Sequence, residues 1–475
     1  MGSMERWDAV VVGAGPNGLT AAATLARSGR SVMVLEAGAT VGGGLRSGPL
    51  TEDGFVHDHC SAVHPLAAAS PAFAGLPLAD HGVELCYPEV EVAHPLDGGR
   101  AAVVTADLEA TARQFGPAGR RYRRLLEPVV DRWDAVVEQL LGPLRPPRHP
   151  LAVLPFALRA LPPATVVGRA LGGDEAAAAW AGCAAHAIVP LGHPLTSAFG
   201  TLFLASAHAV RWPVVRGGSQ VLADALAGIV EAAGGEVRTG VRVRRWADLP
   251  PHRAVLFDTD PGQLLAIAGH RLRWTYRRRL LRFRHGPGAF KLDYTLNEAV
   301  PWTHPDCRRA GTVHVGGTLA EVAAAEAEVA AGRHPERPFL IVAQQSVVDD
   351  RRAPPGRHTL WVYTHVPAAS SVDMTPQVER QLERFAPGFR DVVRTRHAAG
   401  PADFERDNPN QVGGDIAGGS NSGLRMVARP VMARCPYTTS DPRILLCSAS
   451  TPPGAGVHGM PGFHAARAAL RRALA

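Results

Sequence analysis

Lysine is almost absent from this sequence. Of 475 residues 50 are Lys or Arg, and the single lysine is Lys291, in the stretch GPGAFKLDYTL. The formal net charge of +7 therefore rests on arginine, a wide fork that keeps its charge, whereas an ammonium is a compact charge that burial can tune. Cysteine is also scarce. The six cysteines are scattered without a CxxC pair or metal-ligand spacing, which argues against thiol-disulfide chemistry and zinc binding and fits a reducing, cytoplasmic setting. No helix-turn-helix, zinc-knuckle or aromatic RNA-binding pattern accompanies the positive charge, so nucleic acid is not an expected partner. No uninterrupted apolar run reaches the roughly 18 residues that a membrane span needs. The opening MGSMERWDAVVVGAG lacks the basic-then-apolar order of a secretory leader.

The composition is otherwise that of a folded protein, 46% hydrophobic and 20% charged, with length for two or three domain-sized pieces. The densest basic cluster, RLRWTYRRRLLRFRHG, interleaves arginine with apolar residues as a solvated helix or strand face does.

Residues 8 to 36 read DAVVVGAGPNGLTAAATLARSGRSVMVLE. A β-branched strand runs into Gly13, Gly15 and Gly18, a small-residue helix follows, and a second strand ends on Glu36. Gly13 permits a tight turn, Gly15 lets backbone approach a pyrophosphate, and Gly18 permits close helix packing. With Pro16 and Asn17 opening the helix, its N-terminal N–H groups face an anion. Glu36, followed by Ala37, stands where a carboxylate accepts from ribose hydroxyls. The spacing predicts a dinucleotide site and leaves open which dinucleotide.

The next stretch, EAGATVGGGLRSGPLTEDGFVHDHCSAVHPL, carries a second glycine cluster at Gly42, Gly43 and Gly44, followed by Leu45 and Arg46. Near the other end, ILLCSASTPPGAGVHGMPGFHAARAAL reads as a strand to Cys447, a Ser/Gly/Pro loop, and a helix beginning near Val457 to Pro461. Together with NPNQVGGDIAGG, these segments resemble the FAD-dependent phytoene desaturase-like and amine oxidase superfamily. The resemblance is closest to the branch of pyridine nucleotide-disulfide oxidoreductase domain-containing proteins and covers nearly the whole chain.

That resemblance implies an α/β fold: a discontinuous Rossmann-type FAD-binding domain from residues 4–75, 212–285 and 425–475, with an interleaved α+β substrate domain from 76–211 and 286–424. It implies non-covalent FAD held by Gly13, Gly15, Pro16, Asn17, Gly18, Glu36, Ala37, Gly43, Gly44, Leu45 and Arg46. Arg46 is displaced from the place directly after the glycine pair. At the C-terminal end the implied contacts are Ser448, Ala449, Gly456, Val457, His458, Gly459 and Met460, and Val243 approaches the adenine through its backbone. His458 is a candidate acid or base, its backbone being the favoured contributor. No second GxGxxG of comparable quality exists for a nicotinamide cofactor. Cys435 is a minor candidate for covalent flavin attachment.

FKLDYTL alternates as a strand does and resembles the amine oxidase strand that carries a lysine to the flavin N5 edge. Lys291 is thus the leading catalytic candidate, its ammonium stabilising charge that develops on reduced flavin or reacting oxygen. The alternative is an ordinary strand lysine.

On the substrate side, AAAAWAGCAAHAIVPLGHPLTSAFGTLFLASAHAVRW is apolar all round, so it is buried core or the lining of an apolar pocket. His186 and His208 within it read as satisfied core histidines. The Arg-bearing stretch 145 to 171 is suited to peripheral membrane contact, an interdomain helix pair being the favoured reading. The polar, glycine-rich run ERDNPNQVGGDIAGGSNSG offers Asn408, Asn410, Gln411 and Asp415 as candidates for a pocket wall.

The expected function is that of a cytoplasmic FAD-dependent oxidoreductase, a desaturase, dehydrogenase or oxidase. It would remove hydride from an apolar small molecule, form a double bond, and hand electrons to oxygen or a quinone-like acceptor. Two alternatives stay open: an isomerase or saturase that uses the same flavin, and a non-catalytic flavoprotein that binds a partner.

Overall fold

The structure, a computed structural model, describes residues 6–475. Strand β1 (Trp7–Val12) is WDAVVV, a near-continuous apolar run that suits a strand buried on both faces of a parallel sheet. Helix α1 (Pro16–Ala26) opens with proline at its first position, where no N–H is needed. Strand β2 (Val32–Leu35) returns parallel to β1.

The first sheet has five parallel strands in the order Ile444–Leu446, His252–Phe257, β1, β2, Glu236–Arg238. Neighbours in space are therefore distant in sequence, which makes this domain discontinuous. One face packs against α1 and the helices Gln220–Ala232 and Met460–Arg472 through Leu19, Leu226 and Ala465. The other face meets Pro261–Ala268 and Trp274–Leu280 through Leu264, Ile267 and Leu280. Arg277, Arg278 and Arg279 of the latter helix point to solvent, as the interleaved arginines suggest.

The second sheet has seven strands, ordered Val393–Ala399, Gly288–Leu296, His358–Val366, Leu340–Ala343, Ala310–Val315, Val90–Leu96, Arg100–Val104. Only the pair of Ala310–Val315 with Val90–Leu96 is parallel. Along Gly288–Leu296 alternate residues face opposite sides. Phe290, Leu292, Tyr294 and Leu296 enter a core shared with Leu382 and Phe385 of helix Thr375–Phe385. Ala289, Trp361 and Tyr363 belong to the opposite core, beneath helix Asp174–Ala185 and its neighbours. That helix and Ser197–Ala209 are largely buried, which explains their all-round apolar sequence.

The ends of three elements trace to particular residues. Strand Glu236–Arg238 ends before Val243, because beyond it the chain bonds the end of β2 through Gly240 N–H to Gly38 O (2.8 Å) and Val241 N–H to Glu36 O (2.7 Å). The terminal strand stops at Leu446, although Cys447 N–H still donates to Phe257 O at 2.8 Å. The last helix starts at Met460, within the Val457 to Pro461 range read from the sequence, after Gly459 takes the left-handed conformation with φ 64°.

Candidate functional site

The glycine turn after β1 is held from two sides by carboxylates. Gly13 has φ 100°, a conformation that favours glycine. The Glu36 carboxylate accepts from Ala14 N–H and Gly38 N–H, each at 2.7 Å. It therefore ties the first glycine turn to the end of β2, whereas sequence spacing suggests only its ribose role. From the other side Asp258 Oδ2 accepts from Gly18 N–H at 2.8 Å. A β-carbon at Gly15 would lie 2.7 Å from that same oxygen, so glycine is what lets Asp258 reach the start of α1.

Sequence reasoning misses Asp258, because DTDPGQL reads simply as the end of a strand. Burial, reinforced by the nearby Glu36 charge, raises its carboxyl to about 7 despite the Gly18 hydrogen bond. The folded protein thus favours the protonated acid. Its contribution to stability is fully present below the unfolded value of 3.8 and is lost as pH rises through about 7. Asp258→Asn is expected to raise stability by roughly 2 kcal/mol above pH 7 and to change it little near pH 4. Thermal melts across that range check both the sign and the window.

The second glycine cluster lies directly on the first. Gly42 N–H donates to Ala14 O at 2.8 Å, and a β-carbon on Gly43 would come within 3.1 Å of Gly15 Cα. Leu45 is fully buried beneath this layer. Gly44 packs against Cys60. Arg46 turns away to pair with the Asp407 carboxylate and donates to Gly43 O at 3.1 Å. His59 and Arg46 together hold Asp407 down to about 2. Ala37 is exposed, and Val243 is buried against the outer face of the first sheet.

The C-terminal loop closes over the same helix. A β-carbon on Gly459 would sit 2.2 Å from Thr20 Oγ1, and one on Gly462 only 1.8 Å from Asn17 O. Ser448 and Ser450 hydroxyls bond each other at 2.7 Å beneath Ala449. Val457 and Met460 are buried, and Gly456 has φ 120°. His458 is 1% exposed, and its Nδ1 accepts from Met460 N–H at 3.2 Å. Burial lowers it to about 3, so at neutral pH it is an uncharged imidazole that organises the start of the last helix. This geometry favours the backbone of residues 456 to 460 over the His458 ring as the functional element.

The facing sheet supplies Lys291. It is 1% exposed and pairs with the Asp293 carboxylate, two residues along the same strand face. Its Nζ lies 5.9 Å from the centre of the Trp361 ring. His57 Nδ1 and His397 Nδ1 each stand 3.8 Å from Asp293. Burial would raise Asp293, but the Lys291 charge holds it below the usual carboxylate range. Lys291 is thus a paired lysine in an aromatic setting, and Cys60 feels its charge while also packing on Gly44.

The polar run at 405 to 423 ties domains together. Asn410 Oδ1 accepts from Asp260 N–H (2.8 Å) and Gln263 Nε2 (2.7 Å), and its own amide Nδ2 donates to Asp258 O at 3.3 Å. Asn408 Oδ1 accepts from Asn410 N–H at 3.2 Å. Gln411 Nε2 donates to Cys60 Sγ at 3.2 Å, and Asp415 gathers N–H groups of Gly286, Ala417 and Gly419, each at 2.8 Å. His186 Nε2 lies 3.0 Å from His314 Nε2, and His208 bonds the Tyr122 hydroxyl at 2.8 Å, so both are satisfied within the core. Cys435 bonds Thr438 at 3.2 Å in a separate arginine-lined pocket.

A buried ion network leaves no signal in the sequence. Arg352 Nη1 and Nε donate to Asp58 and Asp349, each at 2.8 Å, with all three side chains fully buried. Asp58 also accepts from Ser219 N–H at 2.8 Å and the Ser47 hydroxyl at 2.6 Å. Burial opposes the charge, but Arg352 with these donors holds Asp58 down to about 2. The network joins the second glycine segment to the sheet that carries Lys291. Residues 58 and 352 are too far apart in sequence for spacing to reveal it.

Comparison with known proteins fits this assembly. The NAD(P)-binding Rossmann-like domain family matches residues 11–74. Solved putrescine oxidase, in a redesign of its cofactor binding, superposes with TM-score 0.62 at 18% identity, covering 99% of this chain and 98% of that one. The fold is one that putrescine oxidase shares. Among curated proteins, mouse (Mus musculus) pyridine nucleotide-disulfide oxidoreductase domain-containing protein 2 is 24% identical over 98% of this chain and 93% of its own length. A limonene dehydrogenase subunit of Castellaniella defragrans is 31% identical across 26% of this chain and 23% of its own length. A groove of about 760 Å³, lined by Leu35, Val241, Trp246 and Arg271, lies on the outer face of the first sheet, away from α1.

Proposed function

We propose that this chain is an FAD-dependent oxidoreductase that removes hydride from a largely apolar organic substrate and forms a double bond. The observation that carries the reading is the convergence of glycine segments 13–18, 42–44 and 456–462 on the start of α1. Such close backbone approach suits a long dinucleotide with a pyrophosphate at its centre. The Asn17 side-chain oxygen, buried without a hydrogen-bond partner, marks a polar place at that helix start for the cofactor. FAD, when bound, supplies the hydride-accepting ring.

The residues have separable roles in this reading. Gly13, Gly15 and Gly18 would hold the phosphates, Gly43 and Gly44 would let the chain pass close to the cofactor, and residues 456 to 460 would offer it backbone N–H groups. Lys291 holds positive charge on the substrate side, and the dry sheet face with Trp361 and Tyr363 excludes water. An apolar substrate suits those aromatic walls and the Ala-rich helices above them. The partial likeness to the limonene dehydrogenase chain supports a hydrocarbon over an amine.

The test is to load the purified protein with FAD, exclude oxygen, and mix it with limonene in one sample and putrescine in another. Bleaching of the flavin by limonene, with a product two hydrogens lighter, is expected. Bleaching by putrescine alone would replace a desaturase with an amine oxidase. A protein that takes up no FAD would end the reading.

A further inference from the structure

The segment from 143 to 171 carries a leucine face with nothing packed on it and a pocket of arginines beside it. Helix Pro150–Ala160 turns Val153, Phe156 and Ala160 inward, where Phe156 and Ala160 join a core with Trp133 and Leu141. Its other side shows Leu151, Leu154 and Leu158, followed by Leu161, at exposures of 82%, 48%, 58% and 58%. That spacing puts all four on one stripe. Leu144 before the helix and Val166 after it, on helix Ala164–Leu171, are also exposed. Water-facing leucine in this density is unusual for a free surface and marks an interaction site.

Immediately before the helix, Arg145 and Arg148 line a pocket of about 180 Å³ together with Arg434, Arg467 and Arg471. Glu138 is the one carboxylate paired with any of these arginines among the described residues, bonding Arg148 at 2.6 Å and Arg145 at 3.5 Å. Arg434, Arg467 and Arg471 have no carboxylate partner among the described residues, and Arg145 Nε is buried without an acceptor. His464 adds no opposing charge. Burial, with the fields of Arg145, Arg467 and Arg471, lowers it to about 4. Several guanidinium forks converging on so small a space suit the planar oxygens of a phosphate.

The two features are continuous, since Pro143 and Arg145 of the pocket flank the exposed Leu144. We propose that the arginine pocket holds the phosphate of an anionic phospholipid while the leucine stripe lies among the neighbouring acyl chains. The chain would rest on the bilayer surface without crossing it. Among the described residues no single helix is long and apolar enough to cross, and the two apolar helices meet at a bend of 92°. Basic charge beside a leucine face matches an anionic lipid surface in both charge and polarity, with each arginine near the surface adding to the attraction.

The test is sedimentation of the full chain with vesicles of phosphatidylglycerol and phosphatidylcholine, compared with phosphatidylcholine alone. Binding to the anionic vesicles is expected to be stronger by about tenfold or more. The double variants Arg467→Glu/Arg471→Glu and Leu151→Ser/Leu158→Ser are each expected to weaken it by about tenfold or more while leaving the melting temperature unchanged. Equal binding to both vesicle types, or retention in both variants, overturns the proposal. So does binding of inorganic phosphate at the arginine pocket without vesicle binding, which would make it a site for free phosphate. A dimer in light scattering that the leucine variant dissociates would identify a second copy of the chain as the occupant instead.

Discussion

Lys291→Met is expected to cost about 3–5 kcal/mol of folding stability at neutral pH and to abolish turnover. The stability loss follows from burial: Asp293 is fully enclosed, and removing its partner leaves a carboxylate in a dry sheet face. In the wild type burial lowers the His57 imidazole to about 4, so it is a neutral neighbour 3.8 Å from Asp293 and Lys291 is the carboxylate's bonded cation. In the wild type the depressed Asp293 contributes stability above the unfolded carboxylate range, and that contribution is lost as pH falls through its folded value. In the variant, the unpaired acid prefers to be protonated, so the gap between the two proteins narrows toward acid pH. Urea titrations at neutral pH and near pH 4 measure both the gap and its closing.

The double variant Lys291→Met/Asp293→Leu separates fold from chemistry. It removes both charges and is expected to recover most of the lost stability. If turnover and reoxidation by air stay absent in that stable protein, the ammonium has a role at the reacting atoms. If they return with stability, Lys291 serves only its ion pair.

A second large effect is expected at Gly462. Alanine there places a carbon 1.8 Å from Asn17 O and 2.9 Å from Ala21 N, so α1 and the last helix must separate. Backbone on a rigid helix cannot yield as a flexible side chain does. Gly462→Ala is therefore expected to lose about 4 kcal/mol or more and to fail to retain FAD, since the same contact positions two of the three glycine segments. Gly192→Ala is the control, because nothing lies within 4 Å of its added carbon. It is expected to change stability by less than about 0.5 kcal/mol. Unfolding curves and the flavin absorbance retained after desalting read out both substitutions.

The first βαβ unit is legible in the sequence because its signals are local. Glycine spacing, a proline at the first helical turn and an acid ending β2 all fall within 29 residues. The two further glycine segments stand out by composition, and their meeting at α1 follows from the resemblance they carry. What stays hidden depends on contacts between distant parts of the chain. Asp258 looks like any residue after a strand until the fold aims it at Gly18. The Asp58–Arg352–Asp349 network joins segments about three hundred residues apart, and no periodicity records such a pairing. His458 looks chemically inviting in the sequence, yet burial and its hydrogen bond to Met460 N–H make it a neutral cap. The paired state of Lys291 is half visible, since Asp293 lies two positions along an alternating strand and hence on the same face.

The strand order of the first sheet sets the timetable by which this protein is made. Strands β1 and β2 leave the ribosome before their neighbour His252–Phe257, which is synthesised more than two hundred residues later, and Ile444–Leu446 follows after that. Helix Met460–Arg472, which covers α1, emerges later still. Until those segments emerge, the apolar strands β1 and β2 have neither their outer neighbours nor this cover. A growing chain in that condition is prone to aggregate and is a natural client for chaperones. A chain synthesised only as far as residue 443 would therefore lack both the outer strand Ile444–Leu446 and the helix that packs on α1.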